Sequence, residues 1–244
     1  MEKTGNDLPA SSPPPTSGAC RKPRISHQWP MKIYAVADLH GREDRLDLVR
    51  QNALATKADA IIAAGDIGGL FSQAKTAARL GKMPVPVLAV RGNSDRSRVE
   101  ANDWPLQQVR SLHLQKIRLQ NHWLTGISGT LLLPFASRLC VAETSFVARH
   151  LSLFQDVSII VAHPPPRGVR DKVAGRFHAG SAALRRLVLA HQPPVVICGH
   201  IHEDAGTAFL GRTLVVNCSM GKTGAGALVS FSPEGTLAAV MLDR

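Results

Sequence analysis

Five times along this chain a short, unbroken run of apolar residues ends on a polar side chain. "KIYAVA" (residues 32–37) runs into "DLHG", "AIIAA" (60–64) into "GD", and "VPVLAV" (85–90) into "RGNSD". "VSIIVA" (157–162) runs into "HPPP", and "PVVICG" (194–199) into "HIHE". Continuous apolar runs of about four to eight residues, bounded by turn residues, read as strands buried on both faces. Helical patterns lie between them: residues 42–56, with Leu46, Val49 and Leu54 on an apolar face, then 73–80, then 181–191. Strand and helix in alternation predict a mostly parallel sheet covered by helices. Between residues 112 and 133 the pattern changes to short strands, and the last forty residues read as strands "TLVVN", "GALVSF" and "GTLAAVML" separated by Gly-rich turns. No internal repeat is visible.

In open α/β sheets, sites form beyond the carboxyl ends of the strands. The five strand ends deliver Asp38 and His40, Asp66, Asn93, His163, and His200 with His202. Any one of these alone is an ordinary loop residue; the set, with a ligand type at every strand end, points to metal. Carboxylate oxygen with neutral imidazole and no thiolate suits Mn, Fe, Co, Ni or Zn, and is compatible with Mg. Seven ligands are too many for one ion that keeps room for water. They suit two divalent ions, which together polarise a phosphoryl oxygen and generate hydroxide near neutral pH.

D-L-H-G, G-D-I, G-N-S-D, A-H-P-P-P and G-H-I-H-E, in this order from residue 31 to about 219, resemble the five sequence blocks of the calcineurin-like metallophosphoesterases. From "HPPP" through "FHAGSAALR" to "GHIHE" the chain is further similar to a subgroup of phosphoesterases related to bacterial cyclic-nucleotide phosphodiesterases. The resemblance implies an α/β fold, a four-layer α-β-β-α sandwich of two packed mixed sheets flanked by helices. It implies phosphoester hydrolysis by a metal-bridging hydroxide, with manganese the first choice for both ions. Asp38, His40 and His202 would hold one ion, Asn93, His163 and His200 the other, and Asp66 would bridge them.

One position departs from that pattern. Familiar members carry G-N-H-D or G-N-H-E, whose His contacts the phosphate and assists the leaving group; here the position is Ser94. Serine is no general acid near neutral pH, and such proton transfer contributes about 10²–10⁴-fold. The expectation is a weakened enzyme that favours phosphodiesters. The alternatives are a catalytically silent binding or scaffold module, and, third, a nuclease. His178, in the loop between two metal-bearing strands, and Asp95, which also reads as a turn residue, are the catalytic candidates. Arg42, beside "DLHG", is the first phosphate-binding candidate because Arg grips phosphate bidentately, ahead of Arg91, Arg96, Arg167 and Arg170. "MGKTGAG" (220–226) is not a P-loop, because the earlier Gly would have to stand where Val216 is.

Composition narrows the partners. With 29 Lys+Arg against 18 Asp+Glu the chain carries a formal +11, which favours anionic substrates such as phosphoesters or nucleotides. The basic residues form no block, and aromatics are only 5%, so a nucleic-acid arm or stacking platform is not expected. The four cysteines, Cys20, Cys140, Cys198 and Cys218, form no C-x-x-C pair and read as free thiols in a reducing compartment. No apolar stretch is long enough to span a bilayer and the N-terminus lacks a signal-peptide core, so a cytoplasmic protein without membrane association is expected. Residues 1–30 are Pro/Ser-rich and too poor in apolar residues to fold; they are either a disordered extension or precede a true start at Met31. Residues 31–244 form the expected metallophosphoesterase domain. Substrate identity and oligomeric state do not follow from the sequence.

Overall fold

The computed structural model describes residues 30–69, 73–95, 109–129, 149–221 and 224–243. The Pro/Ser-rich tail with Cys20, and Arg96 and Cys140, lie outside the described residues. In chain order the elements are β1 (Met31–Val36), α1 (Glu43–Ala55), β2 (Ala60–Ala64), α2 (Gln73–Leu80), β3 (Val87–Val90), β4 (Val109–Ser111), β5 (Ile117–Leu119) and β6 (His122–Ile127). There follow β7 (Ile159–Ala162), β8 (Lys172–Val173), β9 (Phe177–His178), α3 (Ala182–His191), β10 (Val195–Cys198), β11 (Gly206–Leu210), β12 (Thr213–Asn217), β13 (Gly224–Phe231) and β14 (Leu237–Asp243).

The strands form two six-stranded sheets, ordered β14-β13-β1-β2-β3-β4 and β11-β12-β10-β7-β6-β5, plus the small hairpin β8-β9. β1 through β4 run parallel, and β13 and β14 extend them antiparallel. In the second sheet β12, β10, β7 and β6 are parallel, with antiparallel β11 and β5 at the edges. This is the mixed two-sheet sandwich that the family resemblance implies; the strand pattern alone predicts one mostly parallel sheet.

Strand alternation builds the layers. Ile33 and Ala35 of β1 join Ile62, Leu88, Ile159, Val161, Ile197 and Val216 in the core between the sheets. Their neighbours Tyr34 and Val36 point the other way, onto Leu46, Val49 and Ala53 of α1 and Leu80 of α2. On the far side Leu184, Leu187 and Val188 of α3 pack on Ile160, Val196 and Val215. The result is four layers, α-β-β-α. α3 starts where Ser181 Oγ accepts the Leu184 N–H at 2.9 Å, and stops at Gln192, whose φ of 48° cannot continue a helix. Leu54, expected on the apolar face of α1, is 56% exposed, because the buried stripe runs through Leu46, Val49 and Ala53 and Leu54 lies about 100° round the helix from Ala53.

Cys198 and Cys218 are buried free thiols on opposite sides of the second sheet, Cys218 in the core between the sheets and Cys198 under α3. Among the described residues no helix is long and apolar enough to cross a membrane.

Candidate metal centre

The carboxyl ends of β1, β2 and β3 in one sheet and of β7 and β10 in the other open onto one rim of the sandwich. Backbone hydrogen bonds carry the strand ladders a few residues beyond their ends and tie the loops to one another. Asp38 N–H donates to Gly65 O at 3.0 Å, His40 N–H to Asp66 O at 2.9 Å, and Gly199 N–H to His163 O at 2.9 Å. Met220 N–H donates to Ala37 O at 3.0 Å and ties the two sheets together at the rim.

Four of the seven expected ligands sit in left-handed backbone: Asp38 (φ 61°), His40 (51°), Asp66 (50°) and His200 (70°). Such conformations cost about 1–3 kcal/mol in a non-Gly residue and cluster at functional sites. Two glycines permit the close approach. A Cβ on Gly92 would stand 2.0 Å from Asp66 Oδ1, and one on Gly65 2.4 Å from His163 Nδ1.

Two sets of ligand atoms converge, each within 4.8 Å: Asp38, His40 and His202, and Asp38, Asp66 and His163. Asp38 belongs to both. His163 Nε2 lies 3.5 Å from Asp66 Oδ1 and 3.1 Å from Asn93 Oδ1, while the His200 and His163 rings meet edge-on with centroids 4.9 Å apart. All seven residues thus come to one place. His163 Nδ1 is 2.9 Å from Ala64 O, and the carbonyl fixes the tautomer: Nδ1 carries the proton and Nε2 turns its lone pair inward.

The acids and bases of the site shift one another's protonation. Burial opposes ionisation of Asp66, but His163 and the Ser94 N–H and O–H outweigh it and hold the carboxyl well below the usual range. Asp38 is lowered likewise, by His202 and His163 against its burial. Burial would lower His163, yet Asp66 and Asp38 push it up; Asp38 also raises His202, whereas burial lowers His200. Among the described residues, buried Asp38 Oδ1 accepts no hydrogen bond of acceptable geometry, although His202 Nε2 is 3.2 Å away. A buried carboxylate oxygen without a hydrogen donor, amid inward-facing imidazole nitrogens, fits a divalent cation.

The calcineurin-like phosphoesterase family model matches residues 31–204, which is most of the chain and includes all seven candidate ligands. The chain belongs to that family. The uncharacterized protein MJ1162 of Methanocaldococcus jannaschii is 26% identical over 200 residues, covering 78% of this chain and 88% of the relative. Among solved structures, TT1561 of Thermus thermophilus superposes with a TM-score of 0.63 at 18% identity, over 86% of this chain and 98% of that one. A novel archaeal phosphodiesterase gives 0.51 at 13% identity, over 87% and 100%. At these identities the two structures confirm the fold.

Around this calcineurin-like centre the remaining candidates differ in kind. Asp95 accepts from the backbone N–H groups of Gly68 (2.8 Å), Ile67 (3.0 Å) and Gly92 (2.8 Å), so its carboxylate binds the second and third ligand loops together. Ser94 donates from N to Asp66 Oδ1 and from Oγ to Asp66 Oδ2, both at 2.8 Å. Arg42 is exposed and forked onto Asp44 at 3.1 and 3.2 Å. Arg170 is committed to Thr207 O and Asp204. His178 lies on the β8-β9 hairpin with Nδ1 2.6 Å from Asp171 Oδ1.

Three supporting residues escaped the sequence reading. Buried Arg45 of α1 donates to the Asp38 carbonyl and, at 3.1 Å, to Gly221 O, clamping the first loop in its left-handed turn. Asn217 donates from Nδ2 to Ile201 O (2.8 Å), Asp204 O (3.1 Å) and Arg170 O (3.3 Å), fixing the turn that carries His202. Asp171 is fully buried. An Arg on a helix and an Asn at a strand end carry no signal of such roles; Asp171, near the proline run of "HPPPRGVRD", was open to suspicion as an acid in a basic loop.

Proposed function

We propose that this protein is a dinuclear, metal-dependent phosphodiesterase acting on small phosphodiesters of nucleotide-like size, in the subgroup related to bacterial cyclic-nucleotide phosphodiesterases. Two candidate ligand groups that meet at Asp38, one of them holding Asp66, support a two-ion centre most directly, and the family resemblance supplies Asp66 as the bridge. Asp38, His40 and His202 would hold one ion, and Asn93, His163 and His200 the other, with Asp66 shared. Two divalent ions there, manganese first among them, would polarise the phosphoryl group and make water acidic enough to attack at neutral pH. Only two of the seven ligands are anionic. The loaded centre would therefore keep excess positive charge and attract an anionic ester, in keeping with the chain's net +11.

The chain's own residues would divide the remaining work. The His163 Nδ1–H on Ala64 O holds the ring in its ligating tautomer. Ser94 donates to both Asp66 oxygens through N and Oγ and fixes that carboxylate. Asp95 keeps the loops in register. Arg42 serves as a phosphate contact: its pair with Asp44 is exposed, and exposed pairs contribute little, so the guanidinium is readily diverted to an anion.

Purified protein loaded with Mn should hydrolyse an activated aryl phosphodiester, and Asp66→Ala or His163→Ala should abolish the reaction. Unchanged turnover in either variant refutes the reading. Ser94 favours one other reading, a silent scaffold, since it stands where family members place a proton-donating His. Metal analysis separates the two: about two ions per chain after chelator-free purification supports the enzyme, and none supports the scaffold.

A further inference from the structure

We infer that His178, oriented by buried Asp171, is the proton donor to the leaving group, the part that Ser94 leaves unfilled. This rests on the phosphodiesterase reading above and adds a residue and a step to it.

The geometry is that of an oriented imidazole. Asp171 is fully buried, and its Oδ2 accepts from Gly168 N–H (2.9 Å) and Gly180 N–H (3.0 Å), which leaves Oδ1 for His178 Nδ1 at 2.6 Å. The backbone closes the same ring: Ala179 N–H donates to Asp171 O at 3.0 Å, and Arg167 Nη1 donates to His178 O at 3.0 Å. A carboxylate so held sets the rotation of the imidazole and assigns Nδ1 to itself, so Nε2 is the nitrogen that exchanges protons. The His178 side chain is 40% exposed, open to substrate and to reprotonation, while its partner is hidden. A surface histidine with only a packing role needs no buried acid with three donors.

The hairpin is anchored to both candidate ligand loops of the second sheet, those after β7 and β10. Its neck begins three prolines after His163 and closes through Ser181 N–H to Pro165 O (2.8 Å) and Arg167 N–H to Ser181 O (2.9 Å). Its first strand packs on the His202–Asp204 turn, where Lys172 N–H donates to Asp204 Oδ2 at 3.0 Å, and Asn217 holds the Arg170 carbonyl in the same cluster. Lys172 pairs across the hairpin with His178, which puts a cation on the same face as the imidazole. Ser94 has no such freedom, because its hydroxyl is given to Asp66.

In the step, the oxygen of the attacking water forms the new bond to phosphorus and its proton passes to solvent. The bond from phosphorus to the leaving oxygen breaks with its electron pair on that oxygen, which takes the Nε2 proton of doubly protonated His178. The imidazole remains neutral, with Nδ1–H on Asp171, and regains a proton from water.

The test is a leaving-group series of Mn-loaded wild type, His178→Gln, Asp171→Asn and the control His191→Ala, on phosphodiesters from p-nitrophenyl to simple alkyl. Metal content and melting temperature are measured for each. His178→Gln should lose about 10²–10⁴-fold in kcat on alkyl leaving groups, at least tenfold more than on p-nitrophenyl. A bridging-sulfur analogue, whose thiolate departs unprotonated, should erase that difference. Asp171→Asn should show the same pattern with a smaller loss, as a positioning residue. An equal loss on all leaving groups, no loss, or failure of the sulfur analogue to compensate overturns the inference while leaving the phosphodiesterase reading intact. A wild type that binds two ions and hydrolyses no diester overturns both.

Discussion

Gly92→Ala tests whether the site depends on its loops approaching this closely. The added methyl carbon would stand 2.0 Å from Asp66 Oδ1, 2.4 Å from Asp66 N and 2.7 Å from Asp66 Cγ. Real Cβ contacts essentially never fall below 3.0 Å, so Asp66 Oδ1 must withdraw by about 1 Å. Rotating the side chain does not suffice, because the backbone nitrogen is also too close, and the loop that Asp95 ties to Ile67 and Gly68 must move with it. A misplacement of about 1 Å at a reacting centre costs on the order of 10²-fold in rate. The variant should fold, since the strain lies at the rim and the three apolar layers beneath are untouched. It should bind fewer than two Mn ions per chain and lose about 10²-fold or more in kcat. Metal analysis, circular dichroism and diester turnover on the same preparation decide it. A folded Gly92→Ala protein with two ions and activity within about threefold of wild type would refute the claim that Asp66 must sit where it does.

Three further outcomes are expected. Burial, partly offset by Asn52, pushes the Tyr34 phenol up to about 12. The folded state therefore holds that proton more tightly than the unfolded chain, and about 2–3 kcal/mol of stability, complete below pH 10, should be lost as pH rises from about 10 to 12. Because Tyr34 is the only tyrosine, an ultraviolet titration reads it directly, and a native midpoint near 10 would contradict the assignment. Asn217→Ala should leave three carbonyls without their donor, cost about 1–3 kcal/mol, and weaken metal binding through His202; an unchanged denaturation midpoint would count against it. Raising free Mn to a hundred times its Kd should add about 2.7 kcal/mol of stability, and a melting temperature indifferent to Mn would mean that the native site binds none.

The central strands and the helices were readable because burial on both faces writes an unbroken apolar run, as in β2, and an amphipathic face writes its period, as in α3. The cluster of candidate ligands was readable because a strand's carboxyl end is a fixed place in such a sheet. β11 was missed: "GTAFL" is an edge strand whose Phe209 is 71% exposed, so it carries neither an apolar run nor a clean alternation. β8 and β9 are two residues each and exist through their anchors, Asp171 and Asp204, which local sequence does not announce. Arg45 and Asn217 act on backbone carbonyls in other loops, from 7 to 176 residues away, and such contacts leave no local signature.

The left-handed ligands have a consequence for how such a chain persists. At His40, a glycine would relieve backbone strain of about 1–3 kcal/mol, set against about 0.5–1 kcal/mol of extra chain entropy in the unfolded state. The same choice exists at Asp38, Asp66 and His200. Mutation under selection for stability alone would drift toward the relaxed residue at each of the four and silence the centre while hardening the fold. Four strained side chains gathered at one rim suit a centre that uses them, and a scaffold that needs only its shape gives no reason for them.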